Sequence, residues 1–135
     1  MTPWIKILTT LGSFVSIAFG FWHFFVPKIW NWYSYIDQSA TELVLAVRAI
    51  NLLFSLSLVL FGLANLFVVY RIPQERFSLM VLLASSGILW ATRSILQILY
   101  PQASYHPIVQ YILLLTFILV FSCFTVSLWL VWSKT

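Results

Sequence analysis

The stretch from Leu43 to Tyr70, LVLAVRAINLLFSLSLVLFGLANLFVVY, limits the possible folds more than any other part of the chain. About 20 mostly apolar residues are enough to cross the hydrocarbon core of a bilayer, and this stretch is longer. Yet it carries Arg48 and Asn51 near its start. A charged side chain at membrane depth is costly and usually faces the protein interior or a wet cavity. The stretch therefore predicts a membrane-spanning helix with a polar, inward-facing region.

The composition agrees with a membrane protein. Hydrophobic residues make up 62% of the 135 residues and charged residues only 7%, with a mean hydropathy of +1.00. Soluble domains are about a quarter charged, so a soluble core is excluded, and the length allows one domain. The formal charge of +4 comes from basic residues spread over the segment ends. Because such residues are signals of membrane topology, we expect no nucleic-acid partner.

Four apolar segments are evident, and the predicted helices cover residues 4–26, 43–70, 77–100 and 107–132. The first is too long for a signal-peptide core and is not followed by a small-residue cleavage site, so we expect a retained helix. The connection KIWNWYSYIDQSATE is rich in Trp and Tyr, which favour the membrane interface. We predict an all-α fold for residues 1–135: a single integral membrane domain, an up-down four-helix transmembrane bundle with a short interfacial aromatic segment.

The basic residues predict the orientation. With the N-terminus inside, the inner side holds Lys6, Arg71, Arg76 and Lys134, whereas the clear outer loops hold only Lys28. Short cytoplasmic flanks carry an excess of Lys and Arg in membrane proteins. We therefore expect both termini in the cytoplasm and a bacterial plasma membrane as the location.

In an up-down bundle, segments one and three end on the side where segments two and four begin. We call this side the polar end, because polar residues from all four segments converge there: His23, Arg48, Asn51, Arg93, Gln97, His106 and Gln110. This convergence does not depend on the orientation. The candidate ligand-binding residues are His23, Glu42, Arg48, Asn51, Arg93, Gln97 and His106.

Small and polar residues recur along the first three segments at steps of three and four, which places them on one helix face. Small residues on such a face let membrane helices approach closely. We therefore predict a bundle that is open at the polar end and tight at the other. The fourth segment has a weaker stripe and is expected to pack at the periphery. The stripes are Gly12, Ser16, Gly20, His23 and Pro27; Arg48, Asn51, Ser55, Gly62 and Asn65; Ser86, Arg93, Gln97 and Tyr100; and His106, Thr116, Cys123 and Ser127.

The two arginines leave several roles open. Arg48 is near enough to its helix end to reach the headgroups, to pair with Glu42 or Asp37, or to contact an anionic ligand. Arg93 has fewer acids near it in the sequence, which favours an anionic partner from outside. Asn51 and Gln97 are expected to form hydrogen bonds between helices, a common use of amides in membranes.

Cofactor and catalytic chemistry have weaker support. His23 and His106 from different helices could ligate a haem iron axially, with the arginines near its propionates, but the spacing is not specific and no cofactor is predicted. One Cys, two His and three acids do not provide a structural zinc site, and no metal is expected. No Ser-His-Asp spacing or intramembrane carboxylate pair appears, which argues against an enzyme.

The segments FGFWHFFVPKIWNW and ELVLAVRAINLLFSLSLVLFG resemble small four-helix bacterial membrane proteins of DoxX-like architecture. The residues that carry this resemblance are His23, Phe24, Pro27, Arg48 and Asn51, and it extends over about the first half of the chain. The resemblance implies a four-helix topology and nothing about activity.

Three hypotheses for function follow. The first is a non-enzymatic binding module for an amphiphile, such as a lipid, a quinone or an isoprenoid-like molecule, with its head near the arginines and amides. The second is a structural or accessory subunit of a larger membrane complex, with a protein partner or as a homo-oligomer. The third is a redox subunit with one haem held by His23 and His106.

Overall fold

The computed structural model describes residues 2–71, 75–103 and 106–133. The chain is 88% helical and forms four long helices, with no strand in the described residues. The helices are α1 (Pro3–Ile29), α2 (Thr41–Arg71), α3 (Arg76–Leu99) and α4 (Pro107–Trp132), and a short 3-10 helix, Trp32–Tyr35, lies between α1 and α2. Each long helix is long and apolar enough to cross a membrane. The predicted all-α transmembrane bundle is confirmed.

The end of α1 differs from the prediction, because the helix does not stop before Pro27 but continues to Ile29. Because proline has no backbone N–H, the last turns of α1 lack the hydrogen bond that position 27 would otherwise make to the carbonyl of His23. Two residues after the helix end lies Asn31, whose φ of 51° is left-handed. Asparagine tolerates this conformation better than most residues. The chain thereby reverses into the 3-10 helix, and the predicted short aromatic segment is confirmed as a helical turn.

A local turn around Asp37 leads into α2. The Asp37 carboxylate accepts hydrogen bonds from the Ser39 hydroxyl at 2.8 Å and from the Ser39 backbone N–H at 2.9 Å. These bonds hold the pKa of the Asp37 carboxyl below its usual value of 3.8. Because the folded-state pKa is lowered, this stabilisation is present above pH 3.8 and is lost as the pH falls through the folded-state pKa. Asp37 is thus engaged by its own turn.

α1 packs against both α2 and α4, α3 packs against α4, and the contact between α2 and α3 is smaller than these. The predicted peripheral position of the fourth segment is therefore wrong. Phe117, Val120 and Phe124 of α4 are fully buried. The buried face of α4 consists mainly of large apolar residues, so a search for small and polar stripes does not reveal it.

The small residues of α1 and α2 mediate close packing, as predicted. A Cβ atom added at Gly20 would lie 2.8 Å from the Ser55 carbonyl oxygen, and one added at Gly62 would lie 2.9 Å from the Ser13 carbonyl oxygen. Contact with a neighbouring backbone at this distance leaves no room for a side chain. The two helices are as close as glycine permits, which is how small residues promote association in membranes.

Three aromatic rings fill the middle of the bundle. The ring centroids of Phe19, Trp90 and Phe117 lie 5.2 to 5.6 Å apart, and the Trp90 indole donates a hydrogen bond of 2.9 Å to the Ser16 hydroxyl. These distances are typical of favourable aromatic packing. We call these three rings the aromatic floor, because the polar end of the bundle lies directly above them.

Candidate ligand-binding site

The described residues of the polar end border two spaces that share a wall. The larger, which we call the aromatic groove, has a volume of about 660 Å³ and is lined by Trp30, Trp32, Tyr35, Pro101, Gln102, Ala103, His106 and Val109. The smaller, which we call the inner cavity, is too narrow to hold a water molecule and is lined by Phe19, Trp22, His23, Val26, Trp30, Arg93, Gln102 and Leu113. Trp30 and Gln102 line both spaces and therefore separate them.

His23 lies at the centre of the polar end. It is 7% exposed, and its Nδ1 atom is 3.4 Å from the Ser55 hydroxyl of α2. The ring packs edge-on against Phe54, with the centroids 4.7 Å apart. The Asn51 side chain lies beside the same imidazole, and its buried Oδ1 atom has no other hydrogen-bond partner among the described residues. His23 and Asn51 thus meet at the polar end, as predicted.

Arg93 borders the same inner cavity as His23. Its guanidinium lies over the Phe117 ring, 4.7 Å from the centroid, and its Nη2 atom donates a hydrogen bond to the Gln102 side-chain oxygen. The Nε atom is buried and has no hydrogen-bond partner in the parts of the chain that the structure describes. Within those parts, no acidic side chain lies at salt-bridge distance from Arg93. Its positive charge is therefore held by a neutral amide and an aromatic face.

Gln97 has a different partner from the one predicted. Its Nε2 atom donates to the Gln102 carbonyl oxygen at 3.1 Å, and its Oε1 atom accepts from the Gln102 backbone N–H at 3.4 Å. The predicted hydrogen bond between helices is therefore wrong for Gln97, which instead fastens the turn after α3. Gln102, which is not among the residues predicted from the sequence, links Gln97 and Arg93. Its position just after Pro101, where α3 must end, was the available signal.

Arg48 and Glu42 lie apart from this cluster. Arg48 is exposed, and its guanidinium is 5.0 Å from the ring centroid of Tyr33 in the 3-10 helix. The expectation that its charge faces the bundle interior is therefore wrong, and the long side chain reaches outward along the bundle surface to that ring. Of the three roles left open by the sequence, this position agrees with a side chain that extends toward the headgroups. No ion pair of Arg48 with Glu42 or Asp37 is found in the described residues. Glu42 is exposed in the first turn of α2, where a carboxylate favours the helix dipole.

The two histidines border different spaces. His106 is exposed before the first turn of α4 and lines the aromatic groove, whereas His23 lines the inner cavity. A haem between them would require Trp30 or Gln102 to move, so this hypothesis stays a prediction without geometric support. Among the described residues, no group of three His, Cys, Asp or Glu side chains could hold a metal ion.

Comparison with known proteins gives no match: no protein-family model, no curated protein and no solved structure matches the chain. The resemblance to the DoxX-like group therefore stays a prediction from the sequence pattern. Function has to be inferred from the geometry and chemistry of the polar end.

Proposed function

We propose that this protein is a non-enzymatic, membrane-integral binding module for an amphiphilic ligand, such as a lipid, a quinone or an isoprenoid-like molecule. One observation supports this most: the aromatic groove of about 660 Å³ lies next to the half-buried Arg93. Pockets for small molecules usually measure about 300–1,000 Å³ and combine apolar walls with a few polar groups. The groove has this size and this composition.

The walls of the groove suit a molecule with two kinds of surface. Trp30, Trp32 and Tyr35 provide large apolar faces with a polar atom at the edge, and such residues favour the membrane interface. Gln102 and His106 add hydrogen-bonding groups to the same walls. An amphiphile can place its chain against the rings and its head against the polar side chains.

We further infer that the groove opens at the outer leaflet of a bacterial plasma membrane, with both termini in the cytoplasm. Lys6, Arg71 and Arg76 lie at the end of the bundle opposite to the groove, and cytoplasmic flanks are rich in basic residues. The Nζ atom of Lys6 is 5.8 Å from the ring centroid of Tyr70. The start of α1 and the end of α2, which both carry basic residues, are therefore neighbours. Lys134 lies outside the described residues.

Blocking the groove tests the proposal. Val109 lines the groove, whereas its neighbour Ile108 is 76% exposed and is not among the groove residues. A Val109→Trp substitution adds bulk inside the groove and is expected to weaken binding of dodecanol or dodecanoate at least tenfold, about 1.4 kcal/mol. Ile108→Trp adds the same bulk on the bundle surface and should leave binding unchanged. Native mass spectrometry of protein released from a neutral detergent would measure the bound amphiphile.

Three results would contradict the binding module or favour another hypothesis. Wild-type affinity in the Val109→Trp protein would show that the groove is not the binding site. If the wild-type protein binds neither probe and instead retains a protein partner, the accessory-subunit hypothesis replaces the binding module. A haem absorption band in the visible spectrum of the purified protein would favour the redox hypothesis.

A further inference from the structure

The wall between the aromatic groove and the inner cavity consists of two side chains, Trp30 and Gln102, that line both spaces. Arg93 lies behind this wall and Gln102 contacts it directly. A molecule in the groove is therefore separated from a cationic group by one aromatic ring and one amide. Of these two, only the amide is bonded to the guanidinium.

Arg93, which is half-buried, lacks the oxyanion partner that a guanidinium favours. An arginine side chain carries several N–H donors, which match the two oxygens of a carboxylate or phosphate. In the described residues, its single hydrogen bond goes to the neutral Gln102 amide, its Nε atom is buried without a partner, and no acid is at salt-bridge distance. A charge removed from water without an opposite charge is poorly compensated. An oxyanion is thus a better partner for Arg93 than Gln102 is.

The aromatic floor holds Arg93 ready for such a partner. The guanidinium lies over the Phe117 ring, and Phe117 is itself fully buried between Phe19 and Trp90. Contact with a fixed ring limits the positions open to the guanidinium before any ligand arrives. Less entropy is then lost when an oxyanion binds.

The Gln102 side chain can leave Arg93 without disturbing the turn. The backbone of Gln102 is held independently, because both its N–H and its carbonyl oxygen are bonded to the Gln97 side chain. Rotation of the Gln102 side chain breaks its bond to Arg93 and leaves these two bonds intact. Gln97 thus anchors the turn, and the Gln102 amide is an exchangeable partner.

We propose that the head group of the ligand carries an oxyanion, a carboxylate or a phosphate, that binds Arg93 in place of the Gln102 amide. This inference rests on the proposed function and specifies the ligand as an apolar chain ending in an oxyanion. Arg93 then selects the charge of the head, and the aromatic groove holds the chain. Arg48, which is exposed over Tyr33, has no part in this selection.

The first measurement compares probes on the wild-type protein in a neutral detergent. Dodecanoate and dodecyl phosphate are expected to bind at least tenfold more tightly than dodecanol, about 1.4 kcal/mol, because only they pair with Arg93. Acetate and inorganic phosphate, which lack the chain, should not compete with them. Equal affinity for all three dodecyl probes would overturn the inference. Competition by inorganic phosphate or acetate at the same concentrations would also overturn it, since the site would then bind a free anion.

The second measurement uses the Gln102→Glu variant, which presents a carboxylate to Arg93 from within the chain. We expect both dodecyl oxyanions to bind about tenfold more weakly to this variant, with the affinity for dodecanol unchanged. Gln102→Ala removes the competing amide and should bind the oxyanions at least as tightly as the wild type. Arg93→Gln should lose the preference for oxyanions over dodecanol. Oxyanion binding of wild-type strength in Gln102→Glu would contradict the inference, even if Arg93→Gln fails to fold.

Different binding results would contradict this inference and the proposed function. If dodecanol and dodecanoate bind equally and Val109→Trp removes both, the groove binds amphiphiles but Arg93 does not select their charge. If none of the dodecyl probes binds, the proposed function fails as well.

Discussion

Replacing Trp90 with alanine is expected to lower the free energy of unfolding by about 3–5 kcal/mol, the range for large aromatic residues in protein cores. Trp90 is 2% exposed and contacts the rings of Phe19 and Phe117, so its loss opens a cavity between α1, α3 and α4. Lipid chains are as apolar as the bundle interior, so van der Waals packing is a main source of helix association in membranes. A cavity removes those contacts directly.

Two further variants separate the contributions of Trp90. Trp129 of α4 is 59% exposed, so Trp129→Ala should change stability by no more than about 0.5 kcal/mol. Trp90→Phe keeps a ring but loses the hydrogen bond to Ser16, and we expect a loss of about 1 kcal/mol from that bond in addition to a smaller packing loss. Helical circular dichroism during unfolding in mixed micelles with sodium dodecyl sulfate would measure all three. Equal effects of Trp90→Ala and Trp129→Ala would contradict the packing of the aromatic floor.

Gly20→Ala is expected to destabilise the bundle by about 1–3 kcal/mol, the range for an overpacked contact. The added Cβ would lie 2.8 Å from the Ser55 carbonyl oxygen and 2.9 Å from the Cγ2 atom of Val59. A backbone carbonyl cannot rotate away as a flexible side chain can, so α1 and α2 have to separate. The same unfolding measurement applies.

Gly87→Ala is the matched control for this prediction. The nearest atom to a Cβ at Gly87 is the Thr125 hydroxyl oxygen at 3.8 Å, an ordinary contact distance. Since alanine is better than glycine in a helix interior by up to about 1 kcal/mol, Gly87→Ala should be neutral or slightly stabilising. Destabilisation by Gly87→Ala as large as that by Gly20→Ala would contradict the close approach of α1 to α2.

The sequence pattern predicted the helices and the face that α1 presents to the bundle. Gly12, Ser16, Gly20 and His23 recur at helical spacing and are all buried, because spacing alone places residues on one face. The same rule failed for Arg48 and Tyr100, which continue a stripe yet are exposed. Both residues lie near a helix end. A long side chain there can reach the polar surroundings of the bundle, so facing outward costs little free energy.

The conformation of the turn after α3 could not be predicted from the sequence, for a different reason. Gln97 bonds to the backbone of Gln102, and Ala103 has a left-handed φ of 61°. These features depend on how the chain leaves α3, which hydrophobic periodicity does not specify. The aromatic groove likewise depends on the 3-10 helix and this turn facing each other, and no short motif encodes that arrangement.

The most direct test asks whether the two turns that border the groove lie on one side of the membrane. In a Cys123→Ala background, single cysteines would replace Tyr35, Pro101 and Glu75, all of which are exposed. A membrane-impermeant maleimide added to intact bacterial cells should label Tyr35→Cys and Pro101→Cys alike, whereas Glu75→Cys should react only after permeabilisation. Labelling of Tyr35→Cys and Pro101→Cys from opposite sides would contradict the convergence of polar residues at one end of the bundle.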